Sequence, residues 1–334
     1  MLYNSQIMTL EIATYFPQQV LTNKEIASWN VNGGRKPLTA QSIYEKVGVK
    51  QRYVAGTDET VLSMGIQAVQ ALPSSPQSDM VFFSTSYPDG FNNAYEMVRS
   101  LNSTADGCIN IHAACSGFTL GLDRIWENKD HFSGKKILMV ASEKYSPTLV
   151  DLRSDHADPS LAQTIFSDGA AAILFTEGQD LKILSALNYS FPKERSSCLR
   201  MPISYGLVRH PALTIEIPAA EDGHFWMEGK AVYEGIRETV PTLISAAIAK
   251  AGLEPQQIKM VIPHQASRHM LDAIARNLSI EVYRDLEDGN WSSASIPKAM
   301  LKALNEGAIA SGDKIVLAGF GAGLFASVAV VELG

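Results

Sequence analysis

Apolar, β-rich runs alternate with helix-period stretches along most of the 334 residues, and a chain written this way buries its strands between helices. "MVFFSTS" (80–86) reads as a strand and "NAYEMVRSLN" (93–102) as the helix after it. "GCINIHAA" (107–114) is again a strand, followed by "GFTLGLDRIWENK" (117–129) with Phe118, Leu122, Ile125 and Trp126 on one helical face. "KKILMVASE" (135–143) and "GAAAILFTEG" (169–178) are strand-like. The second half repeats the grammar: a long helical stretch over 225–252, which Pro241 should kink or interrupt, then the strand "IKMVIPHQ" (258–265) and the helix "SRHMLDAIARNL" (267–278). "SIPKAMLKALNEG" (295–307) is a helix with Pro297 in its first turn and Gly307 as its stop, and "DKIVLAGFGAG" (313–323) is a strand entering a Gly-rich turn. Such alternation predicts βα units, a largely parallel buried sheet, and two halves of one architecture without a letter-by-letter repeat. Residues 185–224, rich in Pro, Ser and charge, read as an insertion over one face.

Composition excludes several classes. At 46% hydrophobic and 19% charged the chain is globular, and its net charge of −7 comes without any block of Lys or Arg, so nucleic acid and anionic membranes are not expected partners. Three cysteines, widely spaced and without CxxC, fit neither a disulfide framework nor a structural zinc site. The first residues lack a basic segment followed by an apolar core, and no apolar run reaches spanning length; the expectation is a soluble cytoplasmic protein.

Cys115 lies in "IHAACSGF", where a strand ends and a helix begins. The helix N-terminus there favours a thiolate, the nucleophilic form of sulfur, and Ala113, Ala114 and Gly117 leave it uncrowded. A buried structural cysteine is the plainer reading, and Cys108 and Cys198 keep it. His264 follows "KMVIP" and precedes a helix; Asn290, in "DGNWSSASIP", also precedes one. Side chains at the carboxyl ends of parallel strands converge on one crevice, so Cys, His and Asn could share a site, with Cys and His as nucleophile and base. Singly, His264 reads equally as a capping histidine and Asn290 as a turn residue. "GFGAG" (319–323) is not GxGxxG and leads into a strand, so it reads as a sharp turn able to offer N–H groups to an oxyanion. His156 with Asp151, Asp155 and Asp158 reads as a solvated acidic loop in preference to a metal site.

"AACSGF", "FSDGAAAILF", "PHQASRHMLDAIA", "GNWSSASIPKAMLKAL" and "GDKIVLAGFGAGL", with "YFPQQVLTNKEIA" and "VGVKQRY" nearer the start, resemble in order and spacing the β-ketoacyl-acyl-carrier-protein synthase III family of the thiolase superfamily. The resemblance covers nearly the whole chain. It implies an α/β thiolase-like fold of five layers, αβαβα, in two duplicated halves each with a mixed sheet: residues 1–178 carrying the nucleophile and 179–334 carrying His and Asn, with 185–224 over the acyl site. It implies that Cys115 takes the acyl group from a thioester, that His264 and Asn290 bind the carbonyl of a malonyl extender, and that backbone N–H groups of Cys115 and Ala322 form the oxyanion hole. Phe91 matches a position that closes the acyl pocket across a homodimer interface, and Lys46, Gly229, Ser267 and Phe320 fall at other substrate-binding positions. The partners implied are acyl carrier protein or coenzyme A thioesters; no metal, nicotinamide or flavin is implied.

The departures point to a specialised relative. Ser42 and Ser160 stand near positions where a Trp and an Arg commonly clamp adenine, Lys46 replaces an arginine, Ser267 an asparagine and Asn92 a proline. Two other readings stay open. One is an acyltransferase that passes the acyl group from Cys115 to an alcohol, an amine or a non-malonyl carbon nucleophile. The other is a non-catalytic partner subunit.

Overall fold

The computed structural model describes residues 10–28, 39–56, 58–87, 90, 92–145, 164–192, 198–200, 209–210, 213–214 and 226–334. The first half runs β1 (Glu11–Tyr15), β2 (Gln19–Thr22), α1 (Asn23–Ser28), α2 (Ala40–Val47), β3 (Gln51–Val54), α3 (Val61–Gln70), β4 (Met80–Ser84), α4 (Asn93–Ser100), β5 (Gly107–Ile111), α5 (Gly117–Glu127), α6 (Lys129–Phe132), β6 (Lys136–Glu143) and β7 (Gly169–Thr176). The second half runs β8 (Leu181–Ser190), the short strands β9 (Leu199–Arg200), β10 (Arg209–His210), β11 (Leu213–Thr214) and β12 (Trp226–Met227), then α7 (Gly229–Lys250), β13 (Met260–Pro263), α8 (Arg268–Ala275), α9 (Ser295–Asn305), β14 (Lys314–Gly321) and β15 (Phe325–Leu333).

Two mixed sheets carry the fold, in the orders β1-β7-β6-β4-β5 and β13-β14-β15-β8. Only β4 with β5, β4 with β6, and β13 with β14 pair in parallel, which corrects the largely parallel sheet expected from the strand–helix alternation. The reason is local. β14 and β15 are separated by three residues, and so short a connection can join only antiparallel neighbours.

The strands read as continuous apolar runs because both faces are covered. In β4, Phe82 points into a middle layer with Leu122 of α5 and Met300 of α9, while Val81 and Phe83 face Met64 of α3 and Met97 of α4. Across the middle layer, Ile262, Ile315 and Leu317 of the second sheet meet the same two helices, and Val316, Ala318, Val328 and Val330 turn outward onto Val232, Ile236 and Ile244 of α7. The layers are therefore α3 and α4, the first sheet, α5 and α9, the second sheet, and α7 with α8. The expected face of α5 is buried at Phe118, Leu122 and Ile125 and partly so at Trp126.

Three sequence expectations are corrected. α7 runs unbroken through Pro241. The proline forgoes one backbone hydrogen bond, but the apolar side of this 22-residue helix lies buried on the sheet, and packing outweighs one bond. The helix also begins at Gly229 rather than 225, because Trp226–Met227 pairs with Leu199–Arg200 as a short ladder. Residues 185–190, read as the start of an insertion, belong to β8 and pair along β15; most of the remainder of 185–224 lies outside the described residues. No helix among the described residues is long and apolar enough to cross a membrane.

A buried charge cluster braces the region after β13. Lys298 Nζ lies 2.5 Å from Asp285 and 3.4 Å from Asp288, and it sits over the Trp291 ring; Lys302 reaches Asp285 at 3.1 Å. Gln265 accepts from the Asp285 N–H at 2.7 Å and donates to the Pro263 carbonyl, so this cluster fixes the loop carrying His264. Burial alone would raise the Asp285 carboxyl, yet the two ammonium groups hold it below its ordinary value. Lys298→Ala should cost about 3 kcal/mol in urea denaturation at pH 7, since it leaves a buried carboxylate with one partner fewer. The folded-state value of Asp285 is depressed, so its contribution is present above the unfolded value near 4 and fades as pH falls through it; the difference between wild type and variant should narrow at acid pH.

Candidate active site

Cys115 sits in a single 3-10 turn, Ala114–Ser116, between β5 and α5, with Ala114 held at φ +44°. Such left-handed backbone at a non-glycine residue is retained only where its surroundings fix it, and here the surroundings are strand β14. A Cβ on Gly321 would lie 2.9 Å from Cys115 Cβ and 3.2 Å from its sulfur; a Cβ on Gly319 would meet Thr119 Oγ1 and come within 2.8 Å of Ser116 Cα. The glycines of "GFGAG" let the backbone of the second half lie directly against the cysteine of the first. Ala322 follows Gly321 in the turn.

His264 leaves β13 with its N–H on the Ala318 carbonyl at 2.8 Å, and Asn290 is fastened to the first half by its N–H on the Ile165 carbonyl at 2.8 Å. Both side chains are buried. The Ser292 N–H donates to Asn290 Oδ1 at 2.7 Å, which fixes the amide so that Nδ2 faces His264 Nε2 at 3.3 Å. Taking the amide N–H as the donor of that contact assigns the lone pair to Nε2 and the proton to Nδ1. Nδ1 lies 2.7 Å from Ser295 Oγ, which in turn donates to the Ser292 carbonyl at 2.8 Å, and the chain of donors is consistent throughout.

Electrostatics follow from burial. His264 is pushed down to about 3 by removal from water, against a smaller opposing effect of the Ser292 backbone, so the imidazole is neutral. The Cys115 thiol is pushed up to about 12, first by burial; the Ser292 hydroxyl opposes this, and the negative charge of Glu143 adds to it. Burial thus works against the thiolate that the helix N-terminus favours and holds Cys115 toward the thiol.

Cys115, His264 and Asn290 line one cavity of about 660 Å³, together with Lys46, Gly229, Ser267 and Phe320. Its walls are apolar at Leu199, Met227, Val232 and Ile236, and Lys46, Lys230, His269 and Arg276 also border it. Phe91, Ser160, His156 and the Asp151, Asp155, Asp158 group lie outside the described residues. Ser42 is spent locally: its Oγ accepts from the Thr39 N–H at 2.9 Å and its N–H donates to Thr39 Oγ1, a capping box at the start of α2. Cys108 is partly buried in the outer core, Cys198 is buried, and none of the three cysteines is in a disulfide. Among the described residues no group of three His, Cys, Asp or Glu is placed to hold a metal.

Sequence reasoning missed Ser292, at φ +47°, and the buried pair Glu143 and Tyr145. The signals were present: a glutamate closing the wholly apolar strand "ILMVASE", and a run of serines after Asn290. What they touch could not be read from spacing, because 149 residues separate Glu143 from Ser292 in a chain that the fold closes on itself.

Residues 109–190 match the family model described as 3-oxoacyl-[acyl-carrier-protein (ACP)] synthase III, and residues 248–333 match that of its C-terminal part. The chain is 31% identical over 331 residues to a β-ketoacyl-[acyl-carrier-protein] synthase III of Synechocystis sp., covering 96% of both. It superposes on the synthase III of Thermus thermophilus with a TM-score of 0.80 at 25% identity, over 97% of this chain and 98% of that one. The priming β-ketosynthase of the R1128 polyketide pathway gives 0.80 at 25% identity, over 97% and 95%. With its two sheets, its five layers and a full-length match of this kind, the chain belongs to the β-ketoacyl-[acyl-carrier-protein] synthase III family, a family of acyltransferases that condense acyl thioesters.

Proposed function

We propose that this chain loads an acyl group from a thioester onto Cys115 and condenses it with a malonyl thioester, releasing carbon dioxide and a β-ketoacyl product. The observation that carries the reading is the convergence of Cys115, a neutral His264 and an oriented Asn290 on one largely apolar cavity. Asn290 spends one Nδ2 hydrogen on His264 and keeps the other, a prepositioned donor of the kind that stabilises an enolate oxygen. In this tautomer His264 orients the amide instead of donating to the oxyanion itself, which modifies the role that the resemblance implies. Its neutrality serves decarboxylation. A malonyl carboxylate brought beside it meets no imidazolium to pair with, so loss of carbon dioxide moves that charge onto the enolate oxygen, where the Asn290 amide can meet it.

For the acyl chain the reading assigns the wall formed by Leu199, Met227, Val232, Ile236 and Phe320, and for a phosphopantetheine phosphate the basic residues Lys46, Lys230 and Arg276, with His269 beside them. With Ser42 engaged in its own helix cap, that position offers no flat surface to adenine, which favours an acyl carrier protein over coenzyme A as donor. A homodimer belongs to the same reading: β5 is the edge of the first sheet, and a second copy adding there would extend it. Three cysteines outside any disulfide suit the cytoplasm.

Intact-protein mass spectrometry with a panel of acyl-coenzyme A and acyl-carrier-protein thioesters tests the proposal. The wild type should gain an acyl group that malonyl thioester discharges with carbon dioxide; an adduct that malonyl leaves in place would favour transfer to another nucleophile. Cys115→Ala should take up no acyl group. Asn290→Ala and His264→Ala should load normally and condense slower, about 100-fold for Asn290→Ala. Gly321→Ala should fold but load at least about tenfold slower, read by the same mass assay, because its methyl would stand 3.2 Å from the sulfur.

A further inference from the structure

The thiol of Cys115 has to lose its proton as it attacks, and the cavity offers no ready acceptor: burial pushes His264 down to about 3, and the Asn290 amide is not a base. Behind Cys115, away from the cavity, Glu143 closes strand β6 with no exposed surface. Its Oε2 accepts from the Ser86 N–H at 2.8 Å. Its Oε1 accepts from Ser293 Oγ at 2.6 Å, the Ser293 N–H at 3.2 Å and Ser86 Oγ at 3.3 Å. Ser86 Oγ lies 3.2 Å from Ser292 Oγ, and the Tyr145 hydroxyl lies 3.0 Å from both. Ser292 Oγ in turn faces the Cys115 thiol. Hydroxyls thus link the nucleophile to a carboxyl group without passing through the cavity.

The charged and titratable groups around Glu143 are few. Beyond it on its own strand exit, Lys144 turns away to the Gly56 and Glu59 carbonyls, and Tyr145 faces inward, stacked on Phe166. The β4 exit brings Tyr87 against Tyr145, the turn before α5 brings Cys115, and the start of β7 brings Asp168, held by the Ala55 and Tyr145 N–H groups. The segment 290–295 contributes only neutral side chains, with neutral His264 beyond it. Burial pushes the Glu143 carboxyl up to about 7, against its serine partners, so that it takes up and releases a proton near neutrality.

Resting on Cys115 as the nucleophile, we propose that Glu143 accepts the proton of Cys115 during acyl loading, by way of the Ser292 and Ser86 hydroxyls, and returns it to the Cys115 sulfur when condensation frees it. The sulfur proton passes to Ser292 Oγ, the proton of Ser292 to Ser86 Oγ, and that of Ser86 to Glu143 Oε1. The freed sulfur pair forms the new bond to the thioester carbonyl carbon; the tetrahedral adduct then breaks the donor carbon–sulfur bond, and the donor thiolate leaves through the cavity and takes a proton from solvent. The buried site holds one negative charge throughout, which avoids placing thiolate and carboxylate side by side in an apolar interior. Glu143 acts through Ser292 and is a positioning residue for the proton.

The test uses iodoacetamide on the full-length protein, since alkylation of Cys115 also releases the thiol proton and needs no knowledge of the acyl donor. In the wild type the alkylation rate should rise with a midpoint near pH 7. Glu143→Gln, equal in shape, should lose that midpoint and react at least about tenfold slower at pH 7.5, and Glu143→Asp should restore part of the rate and the midpoint. A Glu143→Gln rate profile that keeps the wild-type midpoint overturns the proposal, as does a wild-type profile without it. If Glu143→Gln does not fold, Ser292→Ala decides, since it keeps the carboxylate but cuts the route: loss of the midpoint supports the proposal and its retention overturns it. Failure of the condensing reading is separate, because it would appear as wild-type protein that no thioester of the panel acylates, whatever the alkylation profile.

Discussion

The approach of β14 to the turn carrying Cys115 is the contact on which the rest of the site depends. Two sheets packed through a layer of helices keep their strands far apart, and where β14 leaves the core its glycines let main chain touch main chain. A side chain at Gly319 or Gly321 would have to displace Thr119, Ser116 or Cys115, each anchored by a buried helix or strand. Everything that reaches the sulfur from the second half does so because this gap is closed.

Around that contact the fold joins its halves through polar groups as well as apolar ones. Asn290 belongs to the second half but is tied by its backbone to Ile165 and Ser167 in the first, and Ser293 donates to Glu143 across the same seam. Ser292, in left-handed backbone, has its N–H on Asn290, its carbonyl on Ser295 and its hydroxyl among Tyr145, Ser86 and Cys115. One residue thereby sets the orientation of the amide, the tautomer of His264 and the environment of the thiol. Buried polar networks are favourable only when each member is satisfied, and this one is dense because it lies buried where the two halves meet.

The electrostatic character of the site also comes from this seam. Desolvation decides the state of three groups at once: it keeps Cys115 a thiol, His264 an uncharged base and Glu143 near neutrality. Each would behave ordinarily in water. A helix N-terminus behind a cysteine is a favourable but modest influence, on the order of 1 kcal/mol, and it cannot match full burial of an anion. Charge in this site therefore moves by proton transfer between buried partners.

Much of this was legible in the chain. Apolar, β-rich runs and helical periodicity gave the strands and helices of the core, and Cys115, His264 and Asn290 stood at strand exits where chemistry collects in α/β folds. Pro241 misled because its cost is local while the support of α7 comes from the sheet beneath it, and 185–190 misled because β8 is an edge strand with a polar end. Sequence alone determined which segments are strands or helices and which residues could act as nucleophile, donor and base, because those properties are local. Tertiary structure alone decided sheet direction, the protonation of Cys115 and His264, and the joining of Glu143 to Ser292, because burial and contact between distant segments exist only once the two sheets have closed on their shared layer of helices.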